Sequence, residues 1–181
     1  MAEHSAAEIA YTITIPAAAG QQAPGEYVAA LLIDEQPAEE SSAANTPGRG
    51  TITILPRVAI PVYVFLAGRE TPKGRIVSLT ADAPQAGTTR LLLTLVNDGD
   101  VHLRPTGSVL VTDAQGAVVA RMPLGRTIPI FPRFQEGIPF LVPLAPGRYE
   151  AAATVQFGES DLLQHTLSFT VTADGRAQTN R

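Results

Sequence analysis

The phrase Ala-Pro-Gly-x-Tyr-x-Ala-Ala occurs twice, as APGEYVAALLI from Ala23 and as APGRYEAAATV from Ala145. A turn that recurs together with the strand after it points to two related units, and this constrains the chain more than any other feature. Pro fixes φ and Gly accepts positive φ, so Pro-Gly makes a tight turn. Each copy runs on into residues rich in Ala and Val, and a further apolar segment follows each.

The apolar pattern has a period of two. In TITILPRVAIPVYVF (Thr51 to Phe65) the apolar residues alternate at Ile52 and Ile54, then at Val58, Ile60, Val62 and Val64. Alternation places such side chains on one face of a strand. Pro56 and Pro61 remove ladder donors and predict an edge strand, a bulge or a change of partner. No segment carries a helical stripe. Gly and Pro, 15 of each in 181 residues, interrupt most windows long enough for one.

From Arg75 onward a set of strands can be counted: RIVSLTA, TTRLLLTLVN closed by NDGD, PTGSVLVTD closed by DAQG, AVVARMPL, a short edge piece RTIPIF, GIPFLVPL, GRYEAAATVQF and DLLQHTLSFTVT. Seven or eight short strands with turn signals between them, in about 100 residues, predict an immunoglobulin-like sandwich. The Tyr two residues after Pro-Gly then takes the place of a tyrosine corner, whose phenol bonds backbone near the turn. The expected architecture is all-β: tandem immunoglobulin-like β-sandwiches, the first incomplete with about three strands and the second complete. The first unit spans 1–68, a hinge 69–74, the second unit 75–173, and a disordered tail 174–181. The three strands of the first unit are expected at Glu8 to Ile15, Glu26 to Asp34 and Thr51 to Phe65. About 50 residues, or four strands, are then wanting from that unit. Either the sequence lacks them or another chain supplies them by β-addition.

Charge and composition exclude several classes. The net charge of −4 lacks the basic footprint that nucleic-acid binding requires. Residues 1–48 hold seven acids and no Lys or Arg, and DEQPAEESSAANTPGRG reads as a solvated acidic loop. With no Cys there are no disulfides, thiolate nucleophiles or Cys metal sites. No run reaches the ~18 apolar residues of a membrane span. MAEHSAAEIAYTITIP has neither the basic start nor the apolar stretch of a secretory signal, so action outside the cytoplasm needs an export signal that is not in this sequence.

No residue is expected to be catalytic, to bind a cofactor or to ligate a metal. His4, His102 and His165 have no second ligand at metal-site spacing. Ser160, Asp161 and His165 lie close together but lack a Gly-x-Ser-x-Gly elbow and read as a hairpin turn. NDGD (Asn97 to Asp100) reads as a turn rather than a calcium loop. TPGRGT is too short for a phosphate loop and lacks its Lys.

APGEYVAALLI, the acidic loop and GTITILPRVAIPVYVFLAG, followed by the hinge GRETPKG and a second sandwich, resemble the layout of periplasmic pilus-assembly (PapD-like) chaperones. LTLVNDGDVHLRPTGSVLVTDAQG resembles immunoglobulin-like domains of bacterial envelope proteins. The resemblance implies a long strand that lends alternating apolar side chains to an incomplete client fold, here Ile52 and Ile54. It also implies a basic anchor on that strand. Ala59 stands at the matching place and Arg57 lies nearby with the same parity. The expected partner-binding residues are Ile52, Ile54, Arg57, Val58 and Ile60, and the expected partner is a protein taken up by strand addition. A homo-oligomer through the open edge of the first unit is a second form of that expectation. The implied function is a non-catalytic, periplasmic or cell-surface interaction and assembly module. The alternatives are a spacer or cell-wall- or carbohydrate-binding module of a larger surface protein, and an accessory domain of a secreted hydrolase.

Overall fold

Period-two alternation between Gly- and Pro-bearing turns produces an all-β fold of antiparallel sheets. The computed structural model describes residues 8–14, 25–34, 56–66, 68, 70–85, 87–125, 129–158 and 162–179. Ten strands run in order: β1 (Glu26–Asp34), β2 (Arg57–Phe65), β3 (Gly74–Gln85), β4 (Thr88–Asn97), β5 (Pro105–Asp113), β6 (Val118–Pro123), β7 (Gln135–Val142), β8 (Gly147–Phe157), β9 (Leu163–Val171) and β10 (Ala177–Thr179). They form a two-stranded sheet β1-β2, a five-stranded sheet β10-β9-β8-β5-β6 and a three-stranded sheet β3-β4-β7. No helix among the described residues is long and apolar enough to cross a membrane.

The two larger sheets share one core, an arrangement consistent with a β-sandwich. Strand β4 turns Leu91, Leu93 and Leu95 inward, each fully buried, against Val109 and Val111 of β5 and Phe169 of β9 in the same cluster. Glycine is required where backbone comes close. A Cβ on Gly107 would stand 1.9 Å from the Thr154 carbonyl oxygen. Tyr149 behaves as the tyrosine corner requires: its hydroxyl donates to the Ala145 carbonyl at 2.8 Å, and its ring stacks on Phe169.

Asn97, fully buried, organises the NDGD turn. Its side-chain amide donates to the carbonyls of Val101 and Ile130, and its Oδ1 accepts from the Gly99 amide. The carboxylates of the turn are engaged by protein donors, Asp98 by Arg75 and Asp100 by Thr71. The hinge GRETPKG is thereby tied to the turn: the Asp98 amide donates to Lys73 and the Asp100 amide to Thr71.

The structure departs from expectation in three places. Residues 8–14 form no strand, although Ile9, Tyr11 and Ile13 alternate as a strand would. The expected disordered tail holds β10, which pairs with β9 after a turn in which Thr172 bonds Asp174 and Arg176. Where RTIPIF was expected as a short edge strand, 126–128 lie outside the described residues and Ile130 makes a single bridge to Leu103.

Candidate functional site: the β1-β2 hairpin and its junction

Strands β1 and β2 pair in one unbroken antiparallel register, from Glu26 opposite Phe65 to Asp34 opposite Arg57. Opposed residues share a face, and faces alternate along each strand. One face therefore carries Tyr27, Ala29, Leu31 and Ile33 of β1 with Val64, Val62, Ile60 and Val58 of β2. Every member is apolar or aromatic. Ile33 is 40 % exposed, Ile60 43 % and Val58 55 %, while Tyr27, Leu31, Val62 and Val64 are half-buried. A large exposed apolar patch marks an interaction surface more often than a bare exterior. Near the junction with the larger sheets, Ile13 and Thr14 rise beside this face. With Tyr27, Val28, Ala29, Val62 and Val64 they border a groove of ≈ 260 Å³.

At the junction the opposite face meets the larger sheets through a carboxylate and a histidine, while farther out it leaves Val28 (49 %) and Leu32 (59 %) exposed. The Glu26 side chain is buried; its Oε2 accepts the His102 backbone amide and its Oε1 meets His102 Nδ1, each at 2.5 Å. A carboxylate only accepts, so Nδ1 carries the proton in this contact. Tyr63 and Phe65 of β2 pack on the His102 ring with centroids 4.4 Å and 5.5 Å away, and Phe131 stacks on Tyr63. The Arg104 guanidinium lies 5.9 Å from the centre of the Tyr63 ring, within cation–π range.

The edges of the hairpin can be read atom by atom. The Leu66 amide donates to the Gly25 carbonyl, so these two residues face each other across the ladder. Hydrogen-bonded and non-hydrogen-bonded pairs alternate in an antiparallel ladder. Tyr27, Ala29, Leu31 and Ile33 thus bond to β2, while Val28, Ala30 and Leu32 aim their backbone groups away from it. On β2 the outward residues are Arg57, Ala59, Pro61, Tyr63 and Phe65. Pro61 has no N–H, so the outer edge of β2 is interrupted at its centre. The outer edge of β1 has no such gap, and among the described residues no strand pairs with it.

Of the residues expected to bind a partner, Ile52 and Ile54 lie outside the described residues. Val58 and Ile60 stand on the open apolar face. Arg57 stands on the other face, where its guanidinium is paired with the Asp34 carboxylate. Both groups are exposed. His165 lies in β9 opposite Ala153, while Ser160, Asp161 and His4 lie outside the described residues. Among the described residues no three His, Cys, Asp or Glu gather as a metal-ligand set. The Glu26–His102 contact joins residues 76 positions apart, and no local spacing marks it in the sequence. No protein-family model matches this chain, and no curated protein matches it.

Proposed function

We propose that the chain is a protein-interaction module that takes an extended segment of another polypeptide onto its β1-β2 hairpin, in a periplasmic or cell-surface setting. The observation that carries this reading is the apolar, partly exposed face of β1 and β2 beside a strand edge with which no strand pairs among the described residues. An edge of this kind accepts an added strand: main-chain bonds supply affinity and alternate side chains supply selection. Each apolar side chain such a strand buried fully would stabilise the complex by roughly 1.5–3 kcal/mol before the cost of ordering.

We read both units as immunoglobulin-like. Supporting this are the Tyr149 corner, the repeat at Tyr27, and the strand orders β3-β4-β7 and β9-β8-β5, which correspond to the two sheets of such sandwiches with β6 beside β5. A pilus-chaperone-like role is one form of the reading.

The test uses the full chain and a synthetic peptide with the sequence of Thr106–Asp113, TGSVLVTD, which has the required alternation. Amide shifts and slowed exchange confined to β1 and β2 support the module. A hairpin unchanged at saturating peptide, beside a proline-substituted control, refutes it.

A further inference from the structure

The doubled phrase allows one half of the molecule to predict the other. Gly25, Tyr27, Ala29 and Ala30 match Gly147, Tyr149, Ala151 and Ala152, so β1 corresponds to β8. The partner strand follows suit: Tyr27 faces Val64 as Tyr149 faces Phe169, so β2 corresponds to β9. Strand β8 has two neighbours, β9 on one side and β5 on the other. Strand β1 has the counterpart of β9. In the position of β5 no strand is found among the described residues.

The side chains agree. Ala151, Ala153 and Val155 of β8 are completely buried. Their counterparts on the apolar face are exposed at Ala29 and Ile33 and half-buried at Leu31. Positions that are completely buried in one unit are at most half-buried in the other.

The backbone agrees as well, by an independent bond. The Leu124 amide donates to the Gly107 carbonyl, so Gly107 faces β6 and its neighbours Ser108 and Leu110 face β8. Leu110 is registered with Ala152, so the main-chain groups of Ala152 point at β5. Ala30 is the counterpart of Ala152, and its main-chain groups point outward from β1.

We infer that the added strand binds along the outer edge of β1, antiparallel to it, in the place that β5 holds beside β8, and that Pro61 closes the outer edge of β2 to this use. The inference rests on the interaction reading above and names the edge, the direction and the chemistry of the occupant. The occupant is a strand of a second polypeptide with apolar side chains at alternate positions. With β5 as the template, the residue at the place of Val111 sits opposite Ala29, the one at Val109 opposite Leu31, and the one at Leu110 exchanges main-chain bonds with Ala30. A proline on the outer edge of β2 is a known device against edge pairing, whereas β1 offers Val28, Ala30 and Leu32 without interruption.

The test is a pair of proline substitutions in the full chain, titrated with the labelled TGSVLVTD peptide. Ala30→Pro removes an outward donor of β1 and no bond of the β1-β2 ladder. The hairpin already tolerates proline at the facing position, Pro61. Ala59→Pro does the same to the outer edge of β2. Protection of the Ala29 and Leu31 amides in each variant reports that the ladder is intact. The expected result is that Ala30→Pro weakens binding about ten-fold or more while Ala59→Pro leaves it within about two-fold of wild type. Loss of binding in Ala59→Pro with Ala30→Pro unaffected overturns the edge assignment and leaves the interaction reading standing. Binding unchanged in both variants also overturns it. Failure of the wild-type chain to bind overturns the interaction reading itself. Should Ala30→Pro lose the ladder, N-methylation of the peptide at the residue matching Leu110 replaces it, and undiminished binding then overturns the assignment.

Discussion

Replacing Glu26 by Ala would undock the hairpin without unfolding the larger sheets. The Glu26 carboxylate is buried, and both of its oxygens are committed to residue 102, one to the backbone amide and one to the ring. Hydrogen bonds to a charged group contribute about 1.5–3 kcal/mol each, so losing both costs about 3–6 kcal/mol. Truncation also leaves the part-buried His102 amide without its acceptor. A loss at the lower end of that range raises the population of the undocked hairpin roughly a hundredfold. Amide hydrogen exchange resolved by residue reads this directly. Protection of the His102 amide should fall by a similar factor, while the Leu93 and Ala153 amides of the core exchange as before. A cycle with His102→Ala should show that the two substitutions are strongly non-additive. If His102 protection is unchanged in Glu26→Ala, the docking argument is wrong. If the core amides accelerate by the same factor, the hairpin and the larger sheets form one cooperative unit and the argument is equally wrong.

Other outcomes follow from the same geometry. Gly99→Ala would set a Cβ 2.1 Å from the Thr71 carbonyl oxygen and 2.8 Å from the Lys73 amide nitrogen. Backbone cannot yield at a single atom, so the NDGD turn separates from the hinge at a cost of about 1–3 kcal/mol, measured by urea unfolding and faster exchange at Asp98 and Asp100. Tyr149→Phe keeps the ring on Phe169 and loses the bond to Ala145, and should cost about 1 kcal/mol in the same assay. Asp82 gives a dependence on acid. The hydrogen bond from Arg90 holds its carboxyl below the usual carboxylate range. The stabilisation is therefore present above the ordinary carboxylate value and lost as pH falls through the lowered one. Because the pair is exposed, the difference in melting temperature between wild type and Asp82→Asn should be small, shrink with salt and vanish in acid.

Much of the fold was legible because its signals are local. TTRLLLTLVN, PTGSVLVTD and GRYEAAATVQF coincide with β4, β5 and β8, since each is an apolar run of strand length bounded by turn residues. The alternation at Val58, Ile60, Val62 and Val64 likewise fixed one face of β2. What sequence could not supply was the neighbour of each strand. Ile9, Tyr11 and Ile13 alternate as well as any strand does, yet alternation specifies a face and not a ladder partner, and residues 8–14 form no strand. The tail at 174–181 lacked an apolar pattern because β10 is short and pairs at the margin of a sheet through its backbone. The Glu26–His102 junction was hidden for a different reason. A buried carboxylate and an imidazole that meet across 76 residues leave no spacing to read, and only the course of β1 brings them together. The direction of the Ala30 and Pro61 backbone groups was also beyond the sequence, because parity needs one observed bond to anchor it.

The central claim is that the outer edge of β1 is open in the free protein and ready for a strand. Residue-resolved amide exchange along β1 of the isolated full chain tests it most directly. The account predicts an alternation: Tyr27, Ala29, Leu31 and Ile33 slow, Val28, Ala30 and Leu32 fast. Uniform slow exchange along the strand, with Val28, Ala30 and Leu32 as protected as their neighbours, would mean that the edge already has a partner, and would contradict it.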